Sequence, residues 1–313
     1  MKNKILGLHH ITAIAGNAQR NYDFYTKTLG LRMVKKTVNF DDPQTYHFYF
    51  GDKTGTPGSI LTFFPWERVK KGKNGVGMAT EIGYSVPEGS LDFWKKRFEK
   101  NGVEFGKTWE QFGEKYLPFR DPDGLNLKLV VPKHEDDREA WETDEIKSDV
   151  ALKGFHSVTL TLYNVGPTAG ILTDIFGYEL EEKEYDFYRY KTNTVENAAI
   201  VDIHEDPTAE RGINAGGTNH HIAFRVKDEE TQMYFREKII EKGLQITEKI
   251  DRDYFFSLYF REPGGVLFEI ATDNPGFTRD EDLEELGSSL KLPAQYEGSR
   301  DRIEALEKLK KTI

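Results

Sequence analysis

The chain has 313 residues, a net charge of −10 and a pI of about 5.4, so nucleic acid and anionic membranes are not expected partners. No apolar run approaches the ~18 residues that span a bilayer, and Met1-Lys2-Asn3-Lys4 lacks the apolar core of a signal peptide. Cysteine is absent, which fits a reducing cytoplasm and leaves only nitrogen and oxygen ligands for any catalytic metal.

In chain order, a strand over Leu8–Ala15 leads to a helix that starts near Asn17, presents Tyr22, Phe24, Tyr25 and Leu29, and stops at Gly30. Strands are predicted at Met33–Asn39, Thr45–Phe50 and Ser59–Phe64. A second unit opens at Thr80–Val86, with a helix capped by Ser90, carrying Leu91, Trp94 and Phe98 inward and ending at Gly102. It closes with a hairpin through Phe119-Arg120-Asp121-Pro122 into Leu125–Val131. The charged segment Pro132–Asp149 reads as a linker with a short helical turn. A third unit runs from Phe155–Leu162 through a helix ending at Gly177 to strands near Phe187–Lys191 and Ala198–Ile203. The fourth starts at Thr218-Asn219-His220-His221, has a helix around Thr231–Lys242, and ends with Tyr254–Arg261 and Val266–Ala271. The acidic stretch Phe277–Leu292 is expected to wrap the surface, and Arg302–Ile313 to form a helix with Ile303, Leu306 and Leu309 on one face, either docked on the core or covering a pocket as a lid.

Glycines 30, 102, 177 and 243 end successive helices at a near-constant spacing, and Phe260-Arg261-Glu262-Pro263 repeats the earlier hairpin. The expected fold is therefore α+β, built from four βαβββ modules. The boundaries are an N-terminal pair at 1–131, a linker at 132–149, a C-terminal pair at 150–272 and a tail at 273–313. Two of the eight histidines head the first module as His9-His10 and two head the fourth as His220-His221. Side chains alternate along a strand, so neighbouring histidines are expected on opposite faces unless a bulge intervenes.

The repeated modules, the segment Phe24–Gly30 and the strand-heading histidines resemble the vicinal oxygen chelate (glyoxalase/bleomycin resistance/dioxygenase) superfamily. Leu8–Thr12, His220-His221, Arg252 to Tyr259 and Gly264–Glu269 are similar, more narrowly, to its hydroquinone-type ring-cleaving dioxygenases. The resemblance implies two paired half-barrel units and an Fe(II)-dependent reaction of a small aromatic with O2. It places the metal ligands on His10, His221 and Glu269, and substrate or oxygen contacts on His9, Thr12, His220, Arg252 and Tyr259. Two imidazoles and a carboxylate suit Fe(II), and Mn(II) or Zn(II) would also accept them.

The residues themselves leave alternatives open. A strand histidine is often an ordinary hydrogen-bonded core residue, Glu269 in its apolar strand could pair with an arginine, and Arg252 could join Asp251 and Asp253 in a surface cluster. Aligning Gly58 with Gly265 sets Thr62 opposite Glu269, where isomerases resembling glyoxalase I carry a fourth ligand. A metal-dependent isomerase or thiol transferase is thereby disfavoured, and a non-catalytic aromatic-binding resistance protein is the remaining alternative. In the middle modules, Glu81 aligns with His221, His156 with His10 and Lys128 with Glu269, with Asp202 nearby. His156 is thus the rival to His10, and Lys128 is expected to pair with Glu81 or Asp202. For His10 to meet His221, module one must pair with module four. Ring substituents and oligomeric state, including a homo-oligomer, are not legible.

Overall fold

The computed structural model describes residues 3–305. Module one supplies β1 (Leu8–Ala15), β2 (Arg32–Asn39), β3 (Asp42–Gly51) and β4 (Ile60–Pro65). Module two supplies β5 (Met78–Ser85), β6 (Trp109–Gln111), β7 (Glu114–Arg120) and β8 (Asn126–Val131). Module three gives β9 (Gly154–Leu162), β10 (Glu179–Glu184), β11 (Phe187–Lys191) and β12 (Ile200–Glu205). Module four gives β13 (Thr218–Val226), β14 (Ile250–Asp251), β15 (Phe255–Arg261) and β16 (Leu267–Pro275). The helices are α1 (Ala18–Asp23), α2 (Leu91–Asn101), α3 (Val165–Asp174), α4 (Glu229–Glu241) and α5 (Arg300–Ala305).

These strands form two eight-stranded sheets that curl into half-barrels, ordered β14-β15-β16-β13-β1-β4-β3-β2 and β10-β11-β12-β9-β5-β8-β7-β6. Module one therefore joins module four, and the two middle modules join each other. The sheets cut across the division of the chain at the charged linker.

Local sequence explains most of the elements. Asn17 caps α1 by accepting from the Arg20 amide at 2.8 Å, and α1 passes directly into a single π-helical turn over Phe24–Thr28. Gly30, Gly102 and Gly243 have positive φ and close their helical segments where a Cβ would be strained, and Gly177, also at positive φ, turns the chain just beyond the third helix. Trp94 is wholly buried and its indole donates to the Val150 carbonyl at 2.8 Å. Truncating it to alanine should cost about 3–5 kcal/mol. One face of β13 and β16 packs Phe224 and Phe268 against Phe176 below α3, and Phe176 packs on Phe235 of α4. That cover leaves the opposite, concave face for a cavity.

Several expectations need correction. Ser90 does not cap α2: its backbone is already helical and its hydroxyl donates to Pro87 O at 2.7 Å. The third helix ends at Asp174, before Gly177. Three edge strands, β6, β10 and β14, carry too many charges or are too short to show an apolar alternation. The linker forms no helix beyond one turn at its end, where the Val150 and Ala151 amides donate to the Lys147 carbonyl at 3.0 and 2.9 Å. The acidic tail does wrap the molecule. Lys35, buried in β2, holds Asp280 and Glu281 at 2.6 and 2.5 Å, and Ile303 packs with Val38, Leu290 and Leu292. Leu306 and Leu309 lie outside the described residues. Among the described residues no helix is long and apolar enough to cross a membrane.

Candidate metal centre and its cavity

Strand register decides which side chains meet. In β1 and β13, antiparallel neighbours, His10 faces Ala223 and Thr12 faces His221. Ala223 in turn pairs with Glu269 of β16, and Glu269 with Tyr259 of β15. The row His10, Ala223, Glu269, Tyr259 thus lies on one face, with His221 one pleat along. Ala223 has only a methyl group between His10 and Glu269, so their longer side chains converge above it.

Two bulges place the remaining histidines. The pairing steps from Leu8 to His10 on β1 while β13 advances one residue, so His9 is the extra residue there. It steps from His221 to Asn219 against Thr12 to Ala13, which makes His220 the second extra residue. Gly217, just before β13, has φ +77° and sits where an added Cβ would lie 2.1 Å from the Asp123 carbonyl, so only glycine admits this approach.

His10, His221 and Glu269 offer three ligand atoms that all lie within 4.8 Å of one another, and all three residues are buried. His10 Nε2 is 3.2 Å and His221 Nε2 2.9 Å from Glu269 Oε2. The tautomer at His10 follows from its neighbours. The Thr272 carbonyl can only accept, so His9 Nε2, 3.1 Å away, carries the hydrogen. Burial, reinforced by His10, holds the His9 pKa well below the usual value, so His9 is neutral and its Nδ1 accepts. His10 Nδ1, 2.9 Å from it, must then donate, which leaves a bare lone pair on His10 Nε2 pointing at Glu269. The same logic through His220 Nδ1, 2.8 Å from His221 Nδ1, allows His221 the matching tautomer.

These residues fit a divalent cation. His221 Nε2 and Glu269 Oε2 are buried without a hydrogen-bond partner despite their 2.9 Å approach. Stranded buried acceptors that face one another are costly unless a positive ion lies between them. Ser257 donates to Glu269 Oε1 at 2.5 Å and turns Oε2 inward. No arginine pairs with Glu269 among the described residues; Arg225 holds Asp273 instead, at 2.6 and 2.8 Å.

A cavity of about 240 Å³ opens above these atoms, walled by Phe40, Phe64, Trp66 and Phe255. Thr12, His220, Arg252 and Tyr259, on which the resemblance places substrate or oxygen contacts, also line it. Arg252 does not join Asp251 and Asp253 but reaches across to Asp41 at 3.4 Å and lies over the Phe40 and Tyr259 rings. Burial opposes its charge, and Tyr259 and Asp41 more than restore it. Burial also raises the Tyr259 phenol, so it stays protonated. His9 does not line the cavity; it stands behind His10, so its anticipated contact with substrate is corrected to a hydrogen bond on the back of a candidate ligand. His47 and Tyr49 line the cavity and were missed. Their i, i+2 spacing on a strand beside Thr62 was the available signal.

The rival site is also corrected. In the second sheet Glu81 pairs with Thr159 and Gly83 with Ser157, and His156 is skipped as a bulge. His156 is therefore the counterpart of His9, and Ser157 holds the place of His10. His156 Nδ1 meets Ser157 Oγ at 3.1 Å, as His9 meets His10. Lys128 pairs with Glu81 at 2.8 Å.

The family model for the Glyoxalase/Bleomycin resistance protein/Dioxygenase superfamily matches residues 7–129 and 154–270. MhqO of Bacillus subtilis (strain 168), whose name carries a provisional ring-cleaving dioxygenase assignment, is 47% identical over 304 residues, 97% of this chain and 96% of that protein. Chlorohydroquinone/hydroquinone 1,2-dioxygenase of Sphingobium indicum is 36% identical over 311 residues, covering 97% of this chain and 96% of that one. A crystal structure from Bacillus subtilis subsp. subtilis str. 168, provisionally described as a dioxygenase, superposes with a TM-score of 0.93 at 46% identity and 97% coverage of both chains. Fold, module pairing, family model and near full-length relatives agree: the chain belongs to the Glyoxalase/Bleomycin resistance protein/Dioxygenase superfamily.

Proposed function

We propose that this chain is a ring-cleaving dioxygenase for hydroquinone-like aromatics, with Fe(II) held by His10, His221 and Glu269. The observation that carries the proposal is the convergence of three nitrogen and oxygen ligand atoms at the floor of an aromatic-walled cavity. The names of the relatives support the same chemistry. A ferrous ion bound by two imidazoles and one carboxylate supplies open positions and the one-electron chemistry through which dioxygen reacts with an electron-rich ring.

The chain's own residues do the rest. Phe40, Phe64, Trp66 and Phe255 hold a planar ring and exclude water. Arg252 and Tyr259 donate to a ring oxygen, with charge and hydroxyl both preserved by their surroundings. His220 is pushed down to about 3, first by burial and then by His221, so it is neutral. If His221 binds through Nε2, its Nδ1–H donates to His220 Nδ1 and leaves a hydrogen on His220 Nε2, a donor beside the candidate ligand.

A glyoxalase-type isomerase or thiol transferase is the competing reading. It would want a ligand at Thr62, whose hydroxyl is already engaged by Thr12 at 2.8 Å and His47 at 2.9 Å. The deciding experiment is anaerobic Fe(II) loading followed by oxygen uptake with hydroquinones, catechols and a hemithioacetal. Uptake with hydroquinones is expected. Full iron occupancy with no uptake on any aromatic would sink the dioxygenase proposal.

A further inference from the structure

We propose that Tyr49, His47, Thr62 and Thr12 form a reversible hydrogen-bond chain that recognises the second ring oxygen of a 1,4-diol. This rests on the hydroquinone reading above and extends it to what selects a para arrangement.

The chain is continuous. Tyr49 OH is 3.0 Å from His47 Nδ1, His47 Nε2 is 2.9 Å from Thr62 Oγ1, and Thr62 Oγ1 is 2.8 Å from Thr12 Oγ1. Burial holds the His47 pKa well below its usual value, so the ring carries one hydrogen. Four groups then bring four hydrogens to three bonds, and one donor is left over. It cannot sit on His47, where both nitrogens are already in bonds. All three hydroxyl-bearing residues are fully buried, but Thr62 alone does not line the cavity, so a spare hydrogen there would be stranded at a cost. The spare hydrogen therefore belongs to an end of the chain, Thr12 or Tyr49, and both ends line the cavity.

The two arrangements differ only in the direction in which the bonds run. With Tyr49 donating first, Thr12 presents a free O–H; with Thr12 donating first, Thr12 presents a lone pair and Tyr49 the free O–H. The cavity end of β1 can thus meet a ring hydroxyl or its oxyanion without any net charge. Arg252 and Tyr259 belong to the module-four half of the sheet and this chain to the module-one half, and Arg252, Tyr259, Thr12, His47 and Tyr49 all line the one aromatic-walled cavity. A ring with oxygens at opposite ends satisfies both halves. A catechol, with adjacent oxygens, leaves one half facing ring carbon, and an unmet buried hydroxyl is unfavourable. In the second sheet the places of Thr62 and Tyr49 are taken by Asp202 and Arg189, a fixed ion pair that cannot reverse.

The test is calorimetric titration of the full-length protein under argon with hydroquinone, catechol and phenol. Wild type is expected to bind hydroquinone about tenfold more tightly than phenol. Thr62→Val breaks the chain in the middle, and Tyr49→Phe removes one end while keeping its packing. Each should lower the hydroquinone-to-phenol ratio by weakening hydroquinone more than phenol, with thermal midpoints confirming the fold. If Thr62→Val fails to fold, Tyr49→Phe decides alone. A wild-type ratio near one, or equal loss of both ligands in the variants, overturns the proposal. Oxygen uptake is scored separately: no uptake with the binding preference intact removes the dioxygenase reading and leaves this chain standing.

Discussion

The two sheets have matching strand orders and bulges at matching places, His9 and His220 in one, His156 and Thr80 in the other. Their concave faces nevertheless solve opposite problems. In the first, His10, His221 and Glu269 converge with one negative charge, and among the described residues no lysine or arginine pairs with it. In the second, Ser157, Glu81 and Lys128 take those places, and the Lys128 ammonium sits 2.8 Å from Glu81. Arg189 adds a second fixed charge, held by Asp202 at 2.8 and 2.9 Å and by Glu114 at 2.5 Å. Burial works against the Lys128 ammonium, and Glu81 and Asp202 still raise it. A buried anion needs a partner, and in the second sheet the chain provides its own. The architecture is repeated, but an external ion is called for only where the internal one is missing.

The largest expected effect tests that contrast directly. Glu269→Gln should drop bound metal to background by elemental analysis, whereas His156→Ala should leave it at the wild-type level. The reverse result would mean that the second sheet holds the ion. Arg189→Leu comes next, since it strands Asp202 and Glu114 in a buried cluster. It should cost about 3–5 kcal/mol in urea unfolding while metal stoichiometry stays unchanged. Loss of metal with stability intact would contradict the separation of the two faces.

A smaller effect concerns the bulged residues. His9→Leu removes the acceptor behind His10 and should weaken metal affinity about 10–100-fold in a chelator competition. His156→Leu, at the matching place, should not move it. The smallest effect is on the pH dependence of the metal-free protein. His220 has its folded pKa pushed down to about 3, below the unfolded value of about 6.5. The unfolded chain therefore binds the proton first, so this contribution is complete above pH 6.5 and is lost as pH falls toward 3. The slope is at most about 1.4 kcal/mol per pH unit for one group. Glu114, held low by His156 and Arg189 against burial, gives a contribution that is complete above its ordinary range near 4.5 and is lost only below it, so it adds no slope between pH 6.5 and 5. Between pH 6.5 and 5 the buried His9, His47 and His221 add slopes of the same sign, and Asp121 of the second sheet, raised to about 6 by burial, adds one of the opposite sign. His220→Asn should therefore lower the slope of the urea midpoints by one group's share; an unchanged slope would place the titrating group elsewhere.

Much of the module pattern could be read from the chain, and the family resemblance named the three residues that the structure brings together. Helix-ending glycines require positive φ whatever surrounds them, and strand histidines beside apolar residues are conspicuous. What escaped was either too polar to show periodicity, as in β10, or depended on partners distant in sequence, as with His47 and Tyr49. The His156 assignment failed for a different reason. Sequence alignment counts residues, and a bulge adds one without advancing the pairing, so His156 was matched to His10 when its counterpart is His9.

By itself the sequence determined the four modules, the absence of thiolate ligands and the small set of nitrogen and oxygen groups available for a metal, because these follow from local residue chemistry. Only the tertiary structure decided which of those groups meet. Register across β1, β13 and β16 brings His10, His221 and Glu269 to one point, and two bulges turn His9 and His220 into their hydrogen-bond partners. Those are properties of strand pairing over more than 200 residues of chain, and no local preference encodes them.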